Sequence, residues 1–149
     1  MTVFDIEKVE IEVESQMPLI PVEPDDYLLK YNIKVTYPFD INKPASEQKI
    51  IIAFARVIVM DSLCFEDVSL FEASDAHSQE TLDLYEIFFD KESVFHKNLF
   101  NNFKEIWYLE RFVIEPQFQN MGLGTAIINW MSRFLCRCKG TLVVRPRPL

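Results

Sequence analysis

Two of the chain's three glycines fall in one run, Gln119-Asn120-Met121-Gly122-Leu123-Gly124. A sequence of average composition would carry about ten glycines over this length. A chain this sparing with glycine places the pair where no side chain fits. Residues 106–114, before the run, read as a strand that Pro116 ends, and residues 126–138, after it, read as a helix. A strand, a glycine-bearing turn and a helix start gather several backbone N–H groups without intrahelical partners at one point. Such a turn binds anions, phosphates in particular.

The rest of the pattern supplies a sheet around that unit. Val9, Ile11 and Val13 alternate with Lys8, Glu10, Glu12 and Glu14, as in a half-buried strand. Three prolines between Met17 and Asp26 end it in a loop. Leu29, Tyr31, Ile33, Val35 and Tyr37 then alternate with polar residues in a second strand. Residues 49–60 are apolar on both faces and read as a buried central strand, antiparallel to the second.

Between Phe65 and Phe103 the pattern turns helical. Leu84, Ile87 and Phe88 precede Phe95, Leu99 and Phe103 at spacings of three and four, with Ser93 as a cap and residues 75–80 as a polar joint. After the glycine turn, Leu123, Ile127, Trp130, Phe134 and Cys138 form a core-facing stripe, and Gly140 is a stop signal. Residues 141–145 form a last strand before Pro146 and Pro148. The expected architecture is α/β of the α+β kind: one domain, residues 1–149, with a mixed, largely antiparallel sheet flanked by helices.

Cys64, Cys136 and Cys138 form no disulfide framework, which favours a reducing, cytoplasmic setting. Cys136 and Cys138 lie two apart in a helix, so their thiols diverge and no metal site is expected. The acidic N-terminal stretch argues against a secretory signal. The longest apolar run, residues 50–60, is too short to span a bilayer and contains Arg56, so no membrane association is expected. The net charge of −8 hides an asymmetry: beyond Glu115 there is no acid, and Arg133, Arg137, Lys139, Arg145 and Arg147 give that end +5. An acidic body with one basic end argues against general nucleic-acid binding and fits a small polyanion at the basic end.

Two phosphate motifs are excluded. No Gly-Lys-Ser/Thr ends a Walker loop, and the dinucleotide fingerprint lacks its third glycine and its downstream acid. Elsewhere, His77 and His96 read as surface or capping residues, Arg56 as the partner of an acid, and Trp107, Tyr108 and Trp130 as core. Strict alternation along residues 106–114 would put Glu110 on one face with Phe112 and Ile114.

The segment from Leu109 to Ile127 resembles the acetyl-CoA-binding segment of the GNAT superfamily of N-acetyltransferases. That signature is a strand, a proline-containing turn, then Gln or Arg, two residues, Gly, one residue, and Gly or Ala; Gln119, Gly122 and Gly124 occupy those places. The match covers about a quarter of the chain, residues 106–144. The resemblance implies that acetyl-CoA is a co-substrate, with no metal. Phe112, Val113 and Ile114 would meet the pantetheine arm through their main chain. The pyrophosphate would rest on the amides of Gln119, Asn120, Met121, Gly122, Leu123, Gly124 and Thr125. An amine would attack the thioester directly, with Glu110 the candidate catalytic base. A carboxylate can take that role only if burial raises its proton affinity toward neutrality.

Two departures qualify the expectation. No helix and strand pair follow the last strand, so the general acid has no candidate, and a second subunit in a homodimer could supply the missing wall. About forty residues carrying helices separate the third strand from the motif strand, where the family places its helices earlier. The acidic body favours a cationic acceptor, a small-molecule amine or a protein lysine. The other reading is a truncated, non-catalytic GNAT-like module that binds CoA or a protein.

Overall fold

A computed structural model describes residues 4–38, 49–61, 69–90, 105–135 and 140–145. Among these residues five strands form one sheet: β1 (Glu10–Gln16), β2 (Leu29–Pro38), β3 (Lys49–Asp61), β4 (Glu105–Ile114) and β5 (Gly140–Val144). Their order in space is their order in the chain. The pairs β1–β2, β2–β3 and β3–β4 are antiparallel and β4–β5 is parallel, so the sheet is mixed and largely antiparallel. The doubly apolar run is the central strand β3, as its lack of a wet face demands.

Each face of the sheet carries its own core. On one face Ile33, Val35, Ala55, Val57, Val59 and Leu109 pack beneath a helix α3 (Leu123–Trp130), through Leu123 and Ile127. On the other face Ile58, Met60, Ile106 and Tyr108 meet Leu70, Ala73, Leu84 and Tyr85 of two shorter helices, α1 (Leu70–His77) and α2 (Gln79–Phe88). Each Val, Leu, Ile or Met side chain among them, taken fully from water, stabilises the fold by roughly 1.5–3 kcal/mol. The alternation of β3 therefore writes both layers, and that of β2 the layer beneath α3.

Two serines set the short helices. Ser69 Oγ accepts the Glu72 amide at 3.1 Å and starts α1, and Ser78 Oγ accepts the Thr81 amide at 3.2 Å and starts α2. The joint expected over residues 75–80 is narrower: Ser78 alone separates the helices. Ile87 is exposed rather than in the stripe, while Leu84 is buried. Ser93, Phe95, Leu99 and Phe103, as well as His96 and all three cysteines, lie outside the described residues.

Beyond α3 the chain widens into a π-helical turn, Met131–Leu135. Fully buried Met131 follows Leu123 and Ile127 at the four-residue spacing of one α-helical face, while Trp130 packs at the edge of the same core. Gly140 opens β5, packed against Trp107, rather than merely stopping a helix. No helix among the described residues is long and apolar enough to cross a membrane.

Candidate functional site

β4 outruns β5. Their pairing ends at Leu109 and Val144, and residues 110–114 of β4 continue with no described strand on that side. Pairing with β3 continues to Ile114, and the Glu115 amide donates to Ile52 O at 2.9 Å. In an antiparallel ladder the main-chain groups of successive residues face alternate sides. Glu115 and Val113 thus face β3, and Phe112 and Ile114 turn their N–H and C=O groups to the open side. The Ile114 carbonyl is taken there by the Gln119 side chain, whose Nε2 donates at 2.9 Å.

The open edge leads into the glycine turn. A 3-10 turn, Pro116–Phe118, reverses the chain, and the Gln119 amide donates to Pro116 O at 3.3 Å. That amide is committed, so the free run begins at Asn120 rather than at Gln119. Asn120 and Gly122 have left-handed backbones, φ 61° and 80°, around Met121, which does not. Alternating backbone hand curls successive N–H groups toward a common concavity. The first helical bond is from the Ala126 amide to Gly122 O at 3.1 Å, and no side chain caps α3. Among the described residues nothing accepts from the amides of Asn120 through Thr125.

The two glycines have different tasks. A Cβ built on Gly122 meets nothing within 4 Å, so the turn's mouth is open space. One on Gly124 comes within 3.2 Å of Ile114 Cδ1 and 3.9 Å of Phe112, so that glycine lets α3 lie close on β4. Asn120, Met121 and Thr125 are exposed at the rim, and Leu123 is buried beneath it.

Glu110 sits elsewhere than alternation predicts. Arg56 pairs with Arg111 and the next residue, Val57, with Leu109, so Glu110 is the extra residue of a β-bulge. The bulge resets the count: Phe112 and Ile114 join Leu109 under α3, whereas Glu110 faces α1. The expectation of a shared face is corrected by this one residue.

There the carboxylate meets a partner that local sequence pattern did not reveal. His77, the last residue of α1, donates from Nε2 to Glu110 Oε1 at 2.6 Å, and both side chains are largely buried. Arg56 Nε lies 3.5 Å from Glu110 Oε2, an ion pair without hydrogen-bond geometry. On the far side of the imidazole, Asp25 Oδ2 is 3.7 Å from Nδ1 and 3.3 Å from Lys30 Nζ. The hydrogen bond from His77 holds the Glu110 carboxyl below the ordinary carboxylate range; burial opposes this, and the charges of His77, Arg56 and Lys30 assist it. Glu110 is therefore a weaker base than a free glutamate, opposite to what its candidate role requires.

The sign of that shift sets a stability profile. A depressed carboxyl contributes stability that is present above its unfolded value and is lost as pH falls through its folded one. Glu110→Gln is expected to cost about 2 kcal/mol at neutral pH, as for a hydrogen bond to a charged group. In urea titrations that difference should shrink as pH drops below about 4.3, the ordinary glutamate value. A difference that stays constant down to pH 3 would mean that the ion cluster does not form in solution.

Neither described arginine of the basic C-terminal end stands at the turn. Arg145 pairs with Asp83 of α2 at 3.3 Å, and Arg133 is exposed in the π-helical turn; Arg137, Lys139 and Arg147 lie outside the described residues. Trp107 and Tyr108 are buried, as expected of core residues. No cluster of three or more potential metal ligands occurs among the described residues. No family model, curated protein or solved structure matches the chain.

Proposed function

We propose that the chain is a GNAT-type acyltransferase that moves an acetyl group from acetyl-CoA to an amine. The observation that carries this reading is the main-chain edge of β4 beyond Leu109, which no described strand pairs, running directly into a turn whose amides find no acceptor among the described residues. A ligand with a diphosphate at one end and amides along its length fits that sequence of donors and acceptors. The amides of Met121 through Thr125 would face the diphosphate, where the helix start adds roughly half a positive charge. The N–H and C=O of Phe112 are oriented for a strand-like arm, and the open space at Gly122 leaves room for phosphate oxygens.

The thioester supplies the activated acyl carbon; the chain's residues handle the amine. The depressed affinity of Glu110 moves the base role to His77. With its Nε2 hydrogen on Glu110, the imidazole keeps a lone pair at Nδ1 to receive the amine proton. Glu110 then acts as the positioning group, fixing the tautomer and stabilising the imidazolium as it forms. A C–N bond forms, the C–S bond breaks, and the departing thiolate takes its proton from solvent.

The depressed carboxyl also supports the other reading, a module that binds CoA without turnover. Calorimetric titration with acetyl-CoA tests what the two share: binding is expected, and no heat up to millimolar ligand would refute both. Thiol release over an amine panel separates them. Acyl transfer predicts a loss of about 100-fold or more in His77→Ala, the usual contribution of a general base. Binding without release on any amine would leave the module.

A further inference from the structure

Between the end of α2 and the end of β5 lies an open cavity of about 600 Å3. That size suits a small molecule. Its walls are apolar: Leu84, Ile87 and Phe88 come from α2, Val143 and Val144 from β5. Leu84 is buried, and Phe88 and Val143 pack against the same core, so the fold fixes the floor. Ile87 and Val144 stand 56% and 48% exposed above it. Scattered apolar side chains on a surface need no explanation, but two that line one cleft form a patch. Arg145 holds the cleft together at one side, where its Nη1 donates to Asp83 Oδ2 at 3.3 Å.

Charge in the lining is uneven. It holds two carboxylates, Asp83 and Glu86, and one guanidinium, Arg145. Asp83 is engaged at both oxygens, since Oδ1 accepts from Gln79 Nε2 at 2.8 Å and Oδ2 from Arg145. Glu86 follows three residues later on the same side of the helix. It is exposed, with no hydrogen-bond or ion-pair partner among the described residues. The helix end adds to its charge. The carboxyl end of a helix carries roughly half a negative charge, and α2 has no basic residue in its last turn.

We propose that this cavity binds an organic cation with an apolar body, of the arylalkyl or alkyl ammonium class. The apolar part lies against Ile87, Phe88, Val143 and Val144, and the ammonium reaches Glu86 at the end of α2. A small hydrated cation gains nothing from the apolar walls. An anion of the same shape meets Glu86 and the helix end with the wrong sign. Binding here needs neither coenzyme nor acyl transfer, so it is independent of the glycine turn.

Calorimetry and protein-observed NMR in the absence of coenzyme would compare phenethylamine with phenethyl alcohol, hydrocinnamate and ethylamine. Phenethylamine should bind roughly tenfold more tightly than the alcohol, the combined worth of an exposed ion pair and a helix end. Hydrocinnamate should be weaker than the alcohol, and ethylamine much weaker than phenethylamine. The amide signals of Val143 and Val144 should shift on binding. Glu86→Gln should cut the amine's advantage to roughly threefold, which the helix end still supplies. Ile87→Ser should weaken amine and alcohol alike, with folding of both variants checked by circular dichroism. Equal affinity for amine and alcohol, a preference for the acid, or an advantage that survives Glu86→Gln in full would overturn the proposal. So would the absence of saturable phenethylamine binding at millimolar concentration. Self-association relieved by Ile87→Ser, without amine binding, would overturn it too and give the cleft to a second copy of the chain.

Discussion

Gly140→Ala is expected to destabilise the protein by about 3 kcal/mol, the upper part of the range for overpacking a core. A Cβ there would stand 2.3 Å from Trp107 Cδ1, 2.6 Å from its Nε1 and 2.8 Å from Glu105 Cγ. The indole cannot easily step aside. It stacks on Tyr31 with centroids 5.4 Å apart, donates from Nε1 to Glu105 Oε1 at 2.8 Å, and is 7% exposed. Relief must come from moving β5 off β4, which breaks their parallel ladder. Urea or thermal unfolding measures the cost. A change within about 0.5 kcal/mol, the usual scatter of neutral substitutions, would show that the ring swings freely.

Gly122→Val should act on the ligand as well as on the fold. Its φ of 80° costs an ordinary side chain about 1–2 kcal/mol, and a β-branched one more. The new side chain projects into the turn's mouth, where nothing now stands within 4 Å. Coenzyme A affinity should fall at least tenfold, which corresponds to about 1.4 kcal/mol. Asparagine tolerates the left-handed backbone, so Gly122→Asn separates the effects: stability near the parent, affinity still reduced. Gly124→Ala provides the contrast. It presses on the end of the Ile114 side chain, which can yield, and should leave affinity close to the parent. Unchanged coenzyme affinity in Gly122→Val would remove the basis for placing a diphosphate at this turn.

The strands were legible because alternation is a property of neighbours in the chain. Residues 29–37 and 49–60 wrote their own faces, and the turn after Pro116 was marked by its glycines. The candidate base was misplaced for a countable reason. Glu110 and Arg111 lie together on the side away from Leu109 and Phe112, and adjacent polar residues inside an apolar strand were the available sign of a bulge. His77 carried no such sign, since its partner is 33 positions away and the contact depends on how α1 packs. Clustering along the sequence also misled: Arg145 belongs to the basic end by number and to Asp83 by position.

The bulge leaves nine residues of β4, 106–114, lying against eight of β3, 53–60. It behaves as a single-residue insertion into an otherwise regular strand. Excising Arg111 would equalise the two lengths while keeping Leu109, Phe112 and Ile114 beneath α3 and Glu110 opposite. The bend in this strand is therefore an independent variable: shortening the chain by one can straighten it without exchanging the occupants of either layer.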